Sequence, residues 1–209
     1  MDLSLWLAFV AATVVVLIIP GPTILLVLSY ALSKGRSVAV ASAGGVALGD
    51  FVAMTTSLAG LGALVATSAA WFTALKWVGA AYLLYLGVKL LRSAPSAGLE
   101  AVTPSREVTA RGVFGHAAAV TALNPKSIAF FIAFVPQFIH PSEPLGPQFA
   151  VLIATFVALG ALNALAYALA ADRLRRWIGR PRVVRGMTQA GGLTLIGMGL
   201  ATAVLRRPV

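Results

Sequence analysis

Six apolar runs, separated by short polar or charged stretches, divide the chain. They extend from Leu5 to Leu32, Val38 to Ala66, Trp71 to Leu91, Gly112 to Phe138, Pro147 to Ala171 and Met187 to Leu205. A helix crossing the hydrocarbon core needs about 20 predominantly apolar residues, and each run approaches or exceeds that length. The pattern predicts an all-α integral membrane protein with six transmembrane helices. The long polar connection, Arg92 to Arg111, is rich in Ser, Pro, Thr and charge and reads as a flexible loop between two halves. The chain is thus a single transmembrane domain: residues 1–92 form a first three-helix unit, 93–111 a cytoplasmic loop and 112–209 a second three-helix unit. The amino terminus has Asp2 and no Lys or Arg ahead of the apolar run, so it reads as a retained first helix rather than a secretion signal.

Composition sharpens this picture. Of 209 residues, 59% are apolar and 11% charged, less than half the roughly 25% charge of a soluble domain. Such a chain cannot cover its surface with polar atoms, which argues against a soluble enzyme, a DNA-binding domain and a disordered chain. With no Cys, two His and six carboxylates, disulfides, thiolate metal sites and His-based metal sites are not expected; neither is a cofactor. The net charge of +10 is explained by orientation. Lys34 and Arg36 follow the first run. Lys89, Arg92, Arg106 and Arg111 follow the third, and Arg173, Arg175, Arg176, Arg180, Arg182 and Arg185 follow the fifth. The positive-inside rule places these connections in the cytoplasm and both termini outside. Arg206 and Arg207 weaken that assignment at the carboxyl end, and a re-entrant first run would move the amino terminus inside. The Arg-rich stretch could also grip acidic lipid or nucleic acid, but topology is the simpler reading and no nucleic-acid partner is expected.

The halves resemble each other. Val46-Ala47-Leu48-Gly49 in the second run matches Val157-Ala158-Leu159-Gly160 in the fifth, and the spacing of Gly79 and Gly87 matches that of Gly191 and Gly199. Pro20-Gly21-Pro22 interrupts the first run as Asn124-Pro125 interrupts the fourth. Three helices per half is an odd number, so the second half sits inverted. Two inverted three-helix repeats with broken helices 1 and 4 form an architecture of secondary transporters.

The residues at the breaks carry the candidate chemistry. Pro20-Gly21-Pro22 removes backbone donors and frees carbonyls deep in a span, tolerated only inside protein or against a wet cavity; the plainer alternative is a kink. Gly45 and Gly49 let a neighbouring backbone approach, and packing is the preferred reading for them. Asp50 lies near mid-span, where a charge costs about 2.5–3.5 kcal/mol on insertion scales. It carries protons, binds a cation, or forms a structural pair or cross-helix hydrogen bond. Asn124-Pro125-Lys126 places a lysine at the start of a half-helix, whose positive dipole end suits a carboxylate or other anion. A Lys126–Asp50 pair that neutralises two buried charges is the structural counterpart, and both readings can hold. Asn163 either bonds across helices or lines the cavity. Asp172 reads as an end cap or gate salt bridge, and His116 and His140 lack a second ligand nearby in sequence. Trp6, Tyr30, Trp71, Trp77 and Trp177 fit an interfacial belt, and Tyr82 with Tyr85 reads as packing.

On these motifs the chain resembles the lysine exporter and homoserine/threonine exporter family (LysE/RhtB type). Its pattern is a PGP break in the first span, a Gly-rich second span ending in Gly-Asp and an Asn-Pro-Lys break in the fourth. Here these are Pro20-Gly21-Pro22, Gly45 with Gly49-Asp50, and Asn124-Pro125-Lys126. Val78 to Gly87 looks like the family's third span and Lys34-Gly35-Arg36 like its first cytoplasmic turn, so the resemblance runs from Leu5 to Arg207. Thr23 stands where many members carry Asn, so no substrate is carried over on that ground. The resemblance implies amino-acid export from the bacterial cytoplasm across the inner membrane, driven by the proton gradient.

The residues by themselves reach a small transporter with an acid and a lysine in its core, not an enzyme. The expected cycle has the substrate carboxylate meet Lys126 and its ammonium meet Asp50 or the freed carbonyls. With no second acid at mid-membrane, the substrate leans towards a neutral amino acid such as homoserine, threonine or a branched-chain residue. Protons and the bilayer are the other expected partners. A homodimer could form through the Gly-rich faces of helices two, three and six. The competing readings are an exporter of another organic solute or a cation, an intramembrane enzyme using Asp50 and Lys126, and a structural subunit.

Overall fold

A computed structural model describes residues 1–19, 21–34, 36–67, 69–92, 109–140, 143–171, 173 and 181–204. These residues are helical almost throughout. The elements are α1 (Leu3–Ile18), α2 (Pro22–Lys34), α3 (Arg36–Thr67), α4 (Ala69–Arg92), α5 (Ala110–Ala122), α6 (Pro125–Ala133), a 3-10 turn (Val135–Phe138), α7 (Leu145–Leu169) and α8 (Pro181–Val204).

Among the described residues, three helices are individually long and apolar enough to cross a bilayer: Val38–Ala63, Leu145–Leu169 and Arg185–Val204. The α1–α2 pair, bent by 56°, counts as a fourth if it is one span. The sequence had suggested six. The fourth run is divided at Leu123–Asn124 into a 13-residue and a 9-residue helix, too short singly to cross. The third run forms the 24-residue α4 with Lys89 and Arg92 in its last turn. The sixth helix starts earlier than its apolar run: α8 begins on Pro181, as suits a proline at a first helical position, and carries Arg182 and Arg185 exposed near its start.

Two apolar clusters stack along the helices. The first gathers Phe9 of α1, Met54 and Leu58 of α3, Phe130 and Phe131 of α6, and Leu152 and Phe156 of α7. Some of its rings meet edge-to-face, a geometry aromatic quadrupoles favour, as in Phe131–Phe156 at 4.7 Å and Phe9–Phe138 at 5.4 Å, and others stack, as in Phe9–Phe130. The second cluster holds Val27 and Leu28 of α2, Ala39 and Val46 of α3, Val113 and Ala117 of α5, and Ala164 and Ala168 of α7. Each of these helices or broken pairs passes from one cluster to the other, and the interval between holds the break after α1, Asp50, Asn124 to Lys126, and Gly160. The fold therefore presents one polar layer between two dry ones.

Small residues set how closely the helices approach. A Cβ at Gly45 would meet the Phe114 carbonyl oxygen and the Ala117 methyl, and one at Gly49 the Ala118 carbonyl and Thr121, so α3 lies directly on the backbone of α5. Gly79 admits Ala133 of α6. Gly87 and Gly192 admit each other's backbones where α4 crosses α8, and Gly199 admits the Ala80 carbonyl. Of the glycines on these helices, Gly45, Gly49, Gly79, Gly87, Gly192 and Gly199 thus pack within the chain, whereas Gly60 and Gly197 have nothing within 4 Å. Gly49→Val is expected to lower the melting temperature in detergent by several degrees, because overpacking costs about 1–3 kcal/mol. Gly60 has nothing within 4 Å of its Cβ position, so Gly60→Ala leaves stability unchanged or raises it by up to about 1 kcal/mol. Thermal unfolding followed by tryptophan fluorescence checks both; equal losses would contradict the packing argument.

Candidate functional site

α1 ends in the protein interior. Ile18 is its last helical residue, Ile19 turns extended (φ −73°, ψ 113°), and α2 starts on Pro22. A helix end leaves its last four carbonyls without intrahelical partners, and in an apolar surrounding each needs one. All four carbonyls at this end are satisfied by side chains of the second half. The Lys126 ammonium donates to Val16 O at 3.0 Å and Ile19 O at 2.9 Å. Asn163 Nδ2 donates to Leu17 O at 3.0 Å, and the Tyr167 hydroxyl to Ile18 O at 2.7 Å. The positive ammonium sits at the negative end of the α1 dipole, the favourable polarity. The freed carbonyls expected to face a ligand are in this state taken by the protein itself.

The second break is built to hold Lys126 there. α6 restarts on Pro125 with Asn124 as its N-cap, and Asn124 Oδ1 accepts from the Lys126 backbone N–H at 3.0 Å. The other end of the same amide, Nδ2, donates to Thr23 Oγ1 at 3.0 Å, and Thr121 Oγ1 donates to that oxygen at 3.4 Å. Thr23, Thr121 and Asn124 are all buried. Thr23 follows Pro22 as Lys126 follows Pro125, so the two helix restarts are tied through one hydroxyl. The Lys126 stem runs over Gly21, where a Cβ would stand 3.4 Å from Nζ.

Asp50 is 2% exposed. Its carboxylate faces α7 at Gly160, where a Cβ would lie 2.5 Å from Oδ2, so glycine there makes the room the carboxylate occupies. Asp50 and Lys126 are close enough to interact electrostatically, yet the ion pairs among the described residues are those of the Met1 amine with Glu143 and of Asp2 with His140. Opposite charges thus share the polar layer without a direct bridge. Such an arrangement can hold a proton, a cation or a zwitterion.

The candidate residues named from sequence divide accordingly. Gly21, Pro22, Asn124, Pro125, Lys126 and Asn163 gather at the two breaks; Asp50 joins the same layer on α3. Gly45 and Gly49 lie against α5, in line with the packing preferred for them. Pro20 and Asp172 lie outside the described residues. Asn163 makes the cross-helix bond that was one of its two readings. His116 Nδ1 lies 2.7 Å from the Tyr30 hydroxyl, and among the described residues no group of three or more potential ligands could hold a metal. Sequence reasoning missed Tyr167 and the role of Thr23. The signal for Tyr167 was its spacing: Asn163 and Tyr167 are one turn apart on the carboxyl half of α7, which is otherwise apolar from Val157 to Leu169, hence on one face.

These features define a helical membrane protein with a charged, buried layer at two helix breaks. The chain belongs to the LysE type translocator family, whose model matches residues 14–205. It is therefore a translocator rather than an enzyme. It is 35% identical over 206 residues to a Vibrio cholerae protein known only as an uncharacterized membrane protein, covering 99% of this chain and 100% of that one. It is 32% identical to the homoserine/homoserine lactone efflux protein of Salmonella typhimurium, covering 97% of this chain and 98% of that protein. It is 34% identical over 154 residues to the leucine efflux protein of Salmonella choleraesuis, covering 73% and 72% of the two chains. No solved structure matches the chain.

Removing the hydroxyl that joins the breaks leaves the Asn124 amide nitrogen buried without its partner, a cost of about 1–3 kcal/mol. Thr23→Val is expected to lower the melting temperature in detergent accordingly, while Thr23→Ser retains most of it. Equal losses for both would assign Thr23 to methyl packing.

Proposed function

We propose that this protein exports neutral amino acids, such as homoserine, threonine or a branched-chain residue, from the bacterial cytoplasm across the inner membrane by proton antiport. The observation that carries this reading is Asp50: a buried carboxylate that shares a layer with Lys126 without forming an ion pair with it. The efflux activities in the names of two relatives support amino acids as the substrate class.

The architecture that serves this function is six spans in two inverted repeats, residues 1–92 and 112–209, joined by the cytoplasmic loop 93–111, with both termini outside. Two features support it. Both broken helices restart on a proline, Pro22 and Pro125. The helices that correspond under the repeat pack together, α3 on α7 and α4 on α8.

In the cycle, a zwitterionic substrate enters from the cytoplasm, its carboxylate meeting Lys126 and its ammonium meeting Asp50 or the carbonyls freed at the first break. The bundles rock outward. A periplasmic proton then neutralises Asp50, weakens the hold on the ammonium and favours release, and the protonated protein returns to discharge its proton inside. Gly160 carries no side chain against the Asp50 carboxylate. Partners are the substrate, protons and lipid; nucleic acid has no part, and a homodimer would form through the outward-facing glycines, such as Gly60 and Gly197.

Asp50→Asn is expected to abolish efflux against a concentration gradient while sparing exchange of labelled amino acid across proteoliposomes. Mass spectrometry of medium from cells fed dipeptides, comparing wild type, Asp50→Asn and empty vector, identifies the substrate. Normal uphill pumping by Asp50→Asn would overturn the coupling assignment, and a wild type matching the vector for every amino acid would overturn the substrate class.

A further inference from the structure

We propose that the carbonyls of Val16 and Ile19, at the carboxyl end of α1, form a binding site for a primary ammonium group. Lys126 fills that site in the state described, and the α-ammonium of the transported amino acid fills it in turn. The proposal rests on the reading of this protein as an amino-acid exporter and assigns the atoms that read the substrate's amino group.

A cation is seated on the site already. The Lys126 ammonium meets two carbonyls at 2.9 and 3.0 Å, distances usual for N–H···O bonds. They project from the carboxyl end of a 16-residue helix, whose dipole favours positive charge. The site is shaped for an ammonium because its acceptors are neutral oxygens and the other two, on Leu17 and Ile18, are held by Asn163 and Tyr167.

The lysine is also placed to leave. Its bonds at this end go to carbonyls and not to a carboxylate, so no buried ion pair fixes it. Its stem lies over Gly21, which carries no side chain to obstruct withdrawal. When it withdraws, the substrate's ammonium replaces it and the charge at the α1 terminus is unchanged. The released Lys126 is then free to pair with the substrate's carboxylate. One exchange thus reads both ends of a zwitterion. A simple amine lacks the carboxylate that would compensate Lys126 for leaving, and a quaternary ammonium has no N–H to donate.

The test is thermal stabilisation of the purified full-length protein in detergent, with ethylammonium chloride as probe and tetramethylammonium chloride at equal concentration as control. Wild type is expected to be stabilised by its amino-acid substrate and not by ethylammonium. Lys126→Met, with the site vacated, is expected to respond to ethylammonium at an about tenfold or greater lower concentration than wild type, the equivalent of one charge-assisted hydrogen bond, and not to tetramethylammonium. A folded Lys126→Met that responds to ethylammonium no more than wild type overturns the proposal. Should Lys126→Met not fold by itself, its purification in ethylammonium chloride decides: ethylammonium is expected to recover folded protein where tetramethylammonium does not, and no difference between the two overturns the proposal. If wild type neither exports nor is stabilised by any amino acid, the exporter reading falls, while the ethylammonium response of Lys126→Met still decides the ammonium site.

Discussion

A helix that stops inside an apolar interior leaves its final carbonyls unpaired, and the rest of this molecule is arranged around that constraint. Pro22 fixes where the chain restarts, so the carboxyl end of α1 cannot be buried in continuing helix. The four carbonyls there are satisfied by Lys126, Asn163 and Tyr167, all from the second half of the chain. The position of α6 follows, because Lys126 must reach across. Its N-cap follows too, because Asn124 orients the first turn of α6 and, through Thr23, ties it to the start of α2.

Much of this was legible in the sequence. Proline and glycine at Pro20-Gly21-Pro22 and Asn124-Pro125 announce breaks because they act on the backbone locally, and the structure restarts helices at Pro22 and Pro125. Asp50 stands out because a charge among apolar neighbours is conspicuous whatever it touches. What could not be read were the partners. Which side chains satisfy the carbonyls of residues 16–19 depends on how helices more than a hundred residues apart pack, and no local pattern encodes that. The spacing of Tyr167 from Asn163 puts the two on one face, but nothing local says that this face meets the end of α1. The earlier start of α8 was missed because its first turns, with Arg182 and Arg185, are polar, and a reading by apolar runs ends where apolarity does.

The repeated Val-Ala-Leu-Gly tetrad shows how identical sequence can serve different physical ends. Gly49 lets the backbone of α5 come close, so its missing side chain is a packing requirement. Gly160, at the equivalent place in the second half, leaves space for the Asp50 carboxylate. The halves are alike in outline and unlike in chemistry. The first supplies acceptors, namely the carbonyls of α1 and the Asp50 carboxylate; the second supplies the donors.

That division bears on how the molecule can move. The four bonds at the α1 terminus all run between the two halves, so any displacement of one half against the other must break them. Each is worth about 0.5–1.5 kcal/mol net, somewhat more where an ammonium donates. Together they amount to a few kcal/mol in favour of the state described. A ligand reverses such a preference only through contacts made better in the other state. The hydrogen bonds that close the α1 terminus are therefore of the right size to be exchanged for a ligand's own.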